Sequence, residues 1–177
     1  MVLLTRRRSL AAFAALAASP VIVQARAGGS RALSFKHLHT GEALEVEYFS
    51  AGRYLDDALA AVNHLLRDFR SGEAGTMDPA LLDLLHALRE RTGAQAPYQI
   101  ISGYRSPATN RMLHERSGGV ATRSLHMSGQ AIDIRVADVP LARLRDAALA
   151  LQRGGVGFYP GSNFVHVDTG RVRAWRG

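Results

Sequence analysis

Short runs with a two-residue period constrain this chain more than any other feature. Ala131-Ile132-Asp133-Ile134-Arg135-Val136 alternates strictly, and Phe164-Val165-His166-Val167-Asp168 repeats the pattern with the valines on one face and His166 and Asp168 on the other. Runs of this length and period are strands with one apolar face, whereas interior strands of a doubly wound parallel sheet read as longer unbroken apolar stretches. Leu33–Thr40 and Ala43–Phe49 flank a Gly41-Glu42 turn and predict a hairpin, and Gly154–Tyr159 precedes Phe164–Thr169 across Pro160-Gly161-Ser162-Asn163. Tyr98–Ile101 is a further short strand. Between these runs lie helical stripes. Leu55, Leu59, Val62, Leu66 and Phe69 recur at three or four residues and predict a helix from Tyr54 to Phe69. Asp78, Pro79 and Gly93 supply the N-cap, first turn and stop of a second helix; Ser106-Pro107 opens a third through about Glu115, and Pro140 a fourth through about Leu151. The expected fold class is α+β, a small antiparallel sheet flanked by helices.

A chain of 177 residues suits one domain with one core. Residues 1–27 carry a basic patch, an Ala-rich apolar stretch and a small-residue ending, Ala25-Arg26-Ala27, which together read as an export signal. The stretch from Leu10 to Val23, interrupted by Pro20, is shorter than the roughly 20 residues that span a bilayer, so cleavage is expected instead of a lasting membrane anchor. Thr5-Arg6-Arg7-Arg8-Ser9-Leu10 resembles a twin-arginine signal, read by machinery that exports folded proteins, with Ser9 where that pattern prefers an aromatic residue. The reading divides the chain into residues 1–27 as signal and 28–177 as a single periplasmic domain. Without the four arginines of the signal, the formal charge of +7 falls to +3, too weak a field to argue for nucleic acid. The tail Arg171-Val172-Arg173-Ala174-Trp175-Arg176 is the one stretch that interleaves basic and aromatic residues.

With no cysteine in the chain, thiolate nucleophiles, disulfides and all-cysteine metal sites are excluded, and any metal falls to His, Asp or Glu. No dinucleotide-binding, phosphate-loop or nucleophile-elbow motif is present. Ser124-Leu125-His126-Met127-Ser128-Gly129-Gln130-Ala131-Ile132-Asp133 instead places a loop histidine ahead of a strand carboxylate that faces away from Ile132 and Ile134. A carboxylate so placed needs a partner to stay charged. His126, Asp133 and His166 form a plausible three-ligand set for Zn²⁺. Singly, each also has a structural reading: a loop histidine, an aspartate paired to Arg135 or Arg123, and a histidine hydrogen-bonded in the core.

Ser124-x-His126-x-x-Gly129-x-Ala131-x-Asp133 resembles the zinc signature of the D-alanyl-D-alanine carboxypeptidase and dipeptidase family, peptidase M15-like, and Phe164-Val165-His166 resembles its second zinc segment. From Ile101-Ser102-Gly103-Tyr104-Arg105-Ser106 to Trp175 the chain is similar to a periplasmic branch, once known only as a domain of unknown function, that includes murein endopeptidases. Leu38-His39-Thr40-Gly41-Glu42 and Asn63–Asp68 extend the likeness toward the N-terminus. The resemblance implies the zinc fold shared by hedgehog domains and these peptidases, with one Zn²⁺ on His126, Asp133 and His166. It also implies Arg105 as a positioning group for substrate and peptidoglycan stem peptides as the substrate. Ser124 is expected either to contact substrate or to close its loop, and Tyr159 and Trp175 either to wall a cleft or to pack in the core.

One position departs from the family. The carboxypeptidases carry a general-base glutamate three residues before the last zinc histidine, and this chain has Asn163, whose amide takes no proton from water near neutral pH. Asp168, one strand period beyond His166, is the nearest acid and the candidate base. Its other roles would be an acceptor behind His166 or a further metal ligand. The expected function is zinc-dependent hydrolysis of amide bonds in crosslinked murein. The alternatives are a zinc-containing murein-binding domain without activity and a D,D-carboxypeptidase or dipeptidase on free peptides.

Overall fold

The computed structural model of the chain describes residues 29–117 and 120–177, so residues 1–27, read above as an export signal, lie outside the described residues. The first strands, β1 (Arg31–His37) and β2 (Ala43–Ser50), pair as the predicted hairpin. A two-residue β3 (Arg53–Tyr54) follows, then α1 (Asp56–Leu65), α2 (Pro79–Thr92), β4 (Tyr98–Ser102) and α3 (Pro107–Ser117). A 3₁₀ turn at Leu125–Ser128 leads into β5 (Ala131–Val136), α4 (Leu141–Leu151), β6 (Gly155–Tyr159), β7 (Phe164–Asp168) and β8 (Arg173–Arg176). All eight strands join one sheet in the order β3-β2-β1-β4-β5-β7-β6-β8. The α+β class is as expected, but the sheet is mixed: β1 pairs with β4, and β6 with β8, in parallel. Those pairs are joined by long connections that carry helices or whole strands, which a reading of neighbouring hairpins does not anticipate.

α2 has the predicted punctuation, with the Asp78 side chain accepting the Ala80 N–H and Gly93 closing the helix at φ 70°. α1 stops earlier than its apolar stripe suggests. Leu66 gives its carbonyl to the Tyr104 N–H at 2.7 Å, and Asp68 accepts the N–H groups of Arg70 and Ser106 at 3.0 and 2.9 Å. The bonds from Tyr104 and Ser106 are long-range and replace the next helical turn. They also tie the end of α1 to the β4–α3 connection, which carries Gly103 and Arg105. A side chain at Gly103 would crowd Leu66, its Cβ lying only 2.8 Å from that residue's Cβ.

One face of the sheet is continuously apolar. Leu33 and Phe35 of β1, Tyr98 and Ile100 of β4, Ile132 and Ile134 of β5, and Val165 and Val167 of β7 are buried there. The Leu81, Leu82, Leu85 and Leu88 stripe of α2 and Leu144 and Ala148 of α4 complete the same core. Each buried Val, Leu, Ile or Phe side chain among them contributes about 1.5–3 kcal/mol. α4 packs against β5, β6 and β7. The opposite face of those strands carries the polar residues of the alternating runs. Among the described residues no helix is long and apolar enough to cross a membrane.

Candidate metal centre

Strand register assembles a single row of residues on this polar face. Ser102 of β4 pairs with Asp133 of β5, Asp133 with His166 of β7, His166 with Gly157 of β6, and Gly157 with Trp175 of β8. In the adjacent row Ala131 pairs with Asp168, and Gly155 with Arg173. Cross-strand partners project on the same side of a sheet. The alternating pattern of β5 and β7 therefore places Asp133, His166 and Asp168 together.

His126 reaches this row from the 3₁₀ turn. Ser124 caps the turn, accepting the His126 N–H at 3.4 Å, and Gly129 ends it at φ 68°. Asp78 N donates to Gly129 O, Arg105 N donates to His126 O, and Thr169 N donates to Gln130 O. Gly129 has no room for a side chain, since its Cβ would lie 2.9 Å from Met77 Cα. The turn is thus clamped between the residues preceding α2 and the end of β7.

Three donor atoms converge. His166 Nδ1 lies 2.8 Å from Asp133 Oδ1, and His126 Nε2 lies 3.3 Å from His166 Nδ1 and 3.4 Å from Asp133 Oδ1. The outer ring nitrogens are committed elsewhere. His126 Nδ1 is 2.7 Å from the carbonyl of Gly103, and His166 Nε2 is 3.2 Å from Asp168 Oδ2. A carbonyl accepts only, so His126 carries its proton on Nδ1 and presents a lone pair from Nε2. With His166 donating from Nε2 to the Asp168 carboxylate, its Nδ1 faces inward as well. Two imidazole nitrogens and one carboxylate oxygen within 4.8 Å of one another could hold a metal ion, and donors of these types fit zinc.

Burial alone would raise the Asp133 carboxyl, but the two imidazoles override it and hold the group well below the usual carboxylate range. Burial would lower His166, and the hydrogen bonds to Asp133 and Asp168 raise it instead. Arg135, one of the partners that the sequence offered Asp133, is hydrogen-bonded to Gln99.

Asp168 stands behind His166, away from the three converging donors, and is fully buried. Its Oδ1 accepts from Gly155 N, Gly170 N and Arg173 Nη1, and its Oδ2 from Arg173 Nη2 at 2.7 Å and from His166 Nε2. Desolvation would raise this carboxyl, yet these donors hold it well below the ordinary range. The Arg173 fork went unnoticed in the sequence. Arg173 and Trp175, two apart in an arginine-rich tail, carried the signal, because such spacing in a strand puts both side chains on one face.

A cleft of about 390 Å³ opens over the donors, lined also by Arg105, Arg123, Ser124, Tyr159, Phe164 and Trp175. Arg105 is nearly buried, with Nη1 on Asn110 Oδ1 at 3.3 Å and no partner for Nε among the described residues. Burial pushes its pKa down from the usual arginine value. Ser124 both closes the turn and borders the cleft. Asn163 lies elsewhere, at φ 55° beside Gln99 and Arg135 in a separate depression. His39 stacks on Phe69, and the His114 ring contacts the Val120 carbonyl; neither lines the cleft.

Fold and donor set together define a small α+β domain of the zinc-peptidase type. Residues 25–175 match the M15 peptidase family model described as peptidoglycan L,D-endopeptidase MepK. The chain belongs to that family. It is 43% identical over 162 residues to the peptidoglycan L,D-endopeptidase MepK of Escherichia coli K12, covering 92% of this chain and 89% of that protein. A probable peptidoglycan L,D-endopeptidase MepK of Haemophilus influenzae is likewise 43% identical, over 83% of this chain and 80% of its own length. The crystal structure of the Serratia marcescens L-Ala D-Glu endopeptidase ChiX matches at 21% identity and a TM-score of 0.35, covering 44% of this chain and 62% of that one, a likeness too slight to bear on fold or function. The relatives narrow the motif resemblance. They are endopeptidases of the MepK type and do not single out the carboxypeptidases, or the branch once known as a domain of unknown function, that the motifs brought to mind.

Proposed function

We propose that this chain is a zinc peptidase of the bacterial cell wall that hydrolyses amide bonds in crosslinked peptidoglycan stem peptides, with the L,D-endopeptidase specificity named for its relatives. One observation carries the reading: His126 Nε2, Asp133 Oδ1 and His166 Nδ1 turn lone pairs toward one point while the outer nitrogens are held by Gly103 O and Asp168. Zinc bound there would act as a Lewis acid toward the scissile carbonyl and lower the pKa of a water.

The chain's own groups divide the remaining work. Arg105, a cation with an unpartnered Nε at the cleft, suits a substrate carboxylate, for which a guanidinium offers paired donors. Ser124 borders the cleft and is the neighbouring polar contact for the peptide. Asp168 is better suited to orient His166 than to take a proton from water. Five hydrogen bonds occupy its oxygens, and its depressed pKa makes it a weak acceptor. With residues 1–27 as a twin-arginine-type signal, the domain from 28 onward would meet its substrate in the periplasm.

Purified protein incubated with sacculi should release muropeptides from crosslinked material, lose that activity to a chelator and regain it with added Zn²⁺. Chromatography of the products reads the outcome. Binding to sacculi without any release would leave a murein-binding module in place of an enzyme.

A further inference from the structure

Tyr159 is held in the cleft from several sides, and its hydroxyl proton has no acceptor among the described residues. It lies on the polar face of β6, two residues beyond Gly157, whose cross-strand partner is His166. Its ring stacks on Phe164 with centroids 4.5 Å apart and planes at 17°. Trp175 Nε1 donates to the Tyr159 oxygen at 2.8 Å. An indole N–H only donates, so the phenol oxygen is the acceptor and its own proton is left for another group.

The surrounding sequence is arranged to permit this contact. Trp175 crosses over Gly157, where a Cβ would lie 2.6 Å from the indole Cε2, and its ring sits 5.1 Å from that of His166. The indole therefore bridges the metal-ligating histidine and the tyrosine hydroxyl. Asp133, already a metal ligand, is the one carboxylate among the described residues that line the cleft, so nothing there competes for the phenol proton.

The geometry points to Tyr159 as a catalytic residue, its hydroxyl donating a hydrogen bond to the scissile carbonyl oxygen as negative charge develops there. This rests on the peptidase reading. Water adds to the carbonyl carbon, and the π pair moves onto the oxygen that Tyr159 faces. On collapse the C–N bond breaks, and the proton given up by the water leaves with the amine. Tyr159 keeps its proton throughout. A donor fixed before reaction stabilises developing charge without a reorganisation cost.

Wild type, Tyr159→Phe and Trp175→Phe should be compared on a purified crosslinked muropeptide, with kcat, KM and bound zinc measured on the same preparations. Tyr159→Phe keeps the ring and its stacking, and should lower kcat by roughly 10²-fold to 10³-fold with KM within about 2-fold and zinc retained. Trp175→Phe, which removes the fixing N–H together with part of the indole packed over Gly157, should lower kcat in the same direction by on the order of 10-fold, a fraction of that loss. An unchanged kcat for Tyr159→Phe, with or without a raised KM, would overturn the assignment and leave Tyr159 a wall of the cleft. Loss of zinc from that variant would overturn it in favour of a structural role. A wild type with no zinc-dependent activity would overturn the peptidase reading itself, and this assignment with it.

Discussion

The two faces of β5, β6 and β7 have the same backbone and opposite chemistry. Under α4, Ile132, Ile134, Val156, Val165 and Val167 form a dry layer in which no side chain has a polar atom to satisfy. On the other side, Asp133, His166 and Asp168 are nearly as well removed from solvent, and every one is tied to named partners. The apolar face tolerates rearrangement as long as volume is kept, because dispersion and the hydrophobic effect have little directionality. The polar face has no such latitude. Each buried charge there depends on a particular donor or acceptor, and a missing one leaves an uncompensated group. Stability is therefore concentrated on one face and chemistry on the other.

Substitutions on the two faces should separate these properties. The wild type should bind about one Zn²⁺ per chain, and His126→Ala, Asp133→Ala and His166→Ala should each lose most of it and reduce sacculus digestion to background. Ile134→Ala, one residue from Asp133 but on the apolar face, should cost about 2–5 kcal/mol in denaturant unfolding while the folded protein keeps its zinc. Metal analysis beside unfolding curves checks both. Zinc retained by all three ligand variants would remove the contrast.

Asp168→Asn tests whether the polar face works as one connected unit. If Asp168 orients His166, zinc affinity and activity should fall together by about 10-fold to 100-fold. If it were the general base, activity would fall by roughly 10²-fold to 10⁴-fold with zinc affinity unchanged. Zinc titration against a competing chelator, run beside muropeptide release, distinguishes the two.

A smaller effect is expected at Asp68, which lies in neither face but joins α1 to the β4–α3 connection. Burial alone would raise its carboxyl, yet hydrogen bonds from Thr109, Ser106 and Arg70 bring it down to about 2. A folded pKa below the unfolded value stabilises the fold above the unfolded pKa, and that contribution disappears as pH falls through about 2. Asp68→Asn should therefore cost about 1–2 kcal/mol at neutral pH, and the difference from wild type should vanish toward pH 2. Urea unfolding across that range measures it; a gap that persists undiminished in acid would show that the carboxylate's charge is not the source.

The local elements and the donor residues were legible in the chain because they depend on nearest-neighbour chemistry. Asp78, Pro79 and Gly93 bound α2 as their capping and conformational preferences require, and the period of two in Ala131–Val136 and Phe164–Asp168 put Asp133, His166 and Asp168 on faces opposite their apolar neighbours. The motif spacing of His126, Asp133 and His166 marked the candidate metal set. What only the tertiary structure decided is long-range pairing: the parallel contacts of β1 with β4 and of β6 with β8, and the early end of α1 where Leu66 and Asp68 bond to the β4–α3 connection. The neighbours of Asp168 belong to the same class. Its proximity to His166 followed from strand period, but its closure by Arg173 depends on β8 lying beside β6 across Gly155. Strand alternation states which face a side chain takes; which strand comes to lie next to it is settled by the packing of the whole sheet.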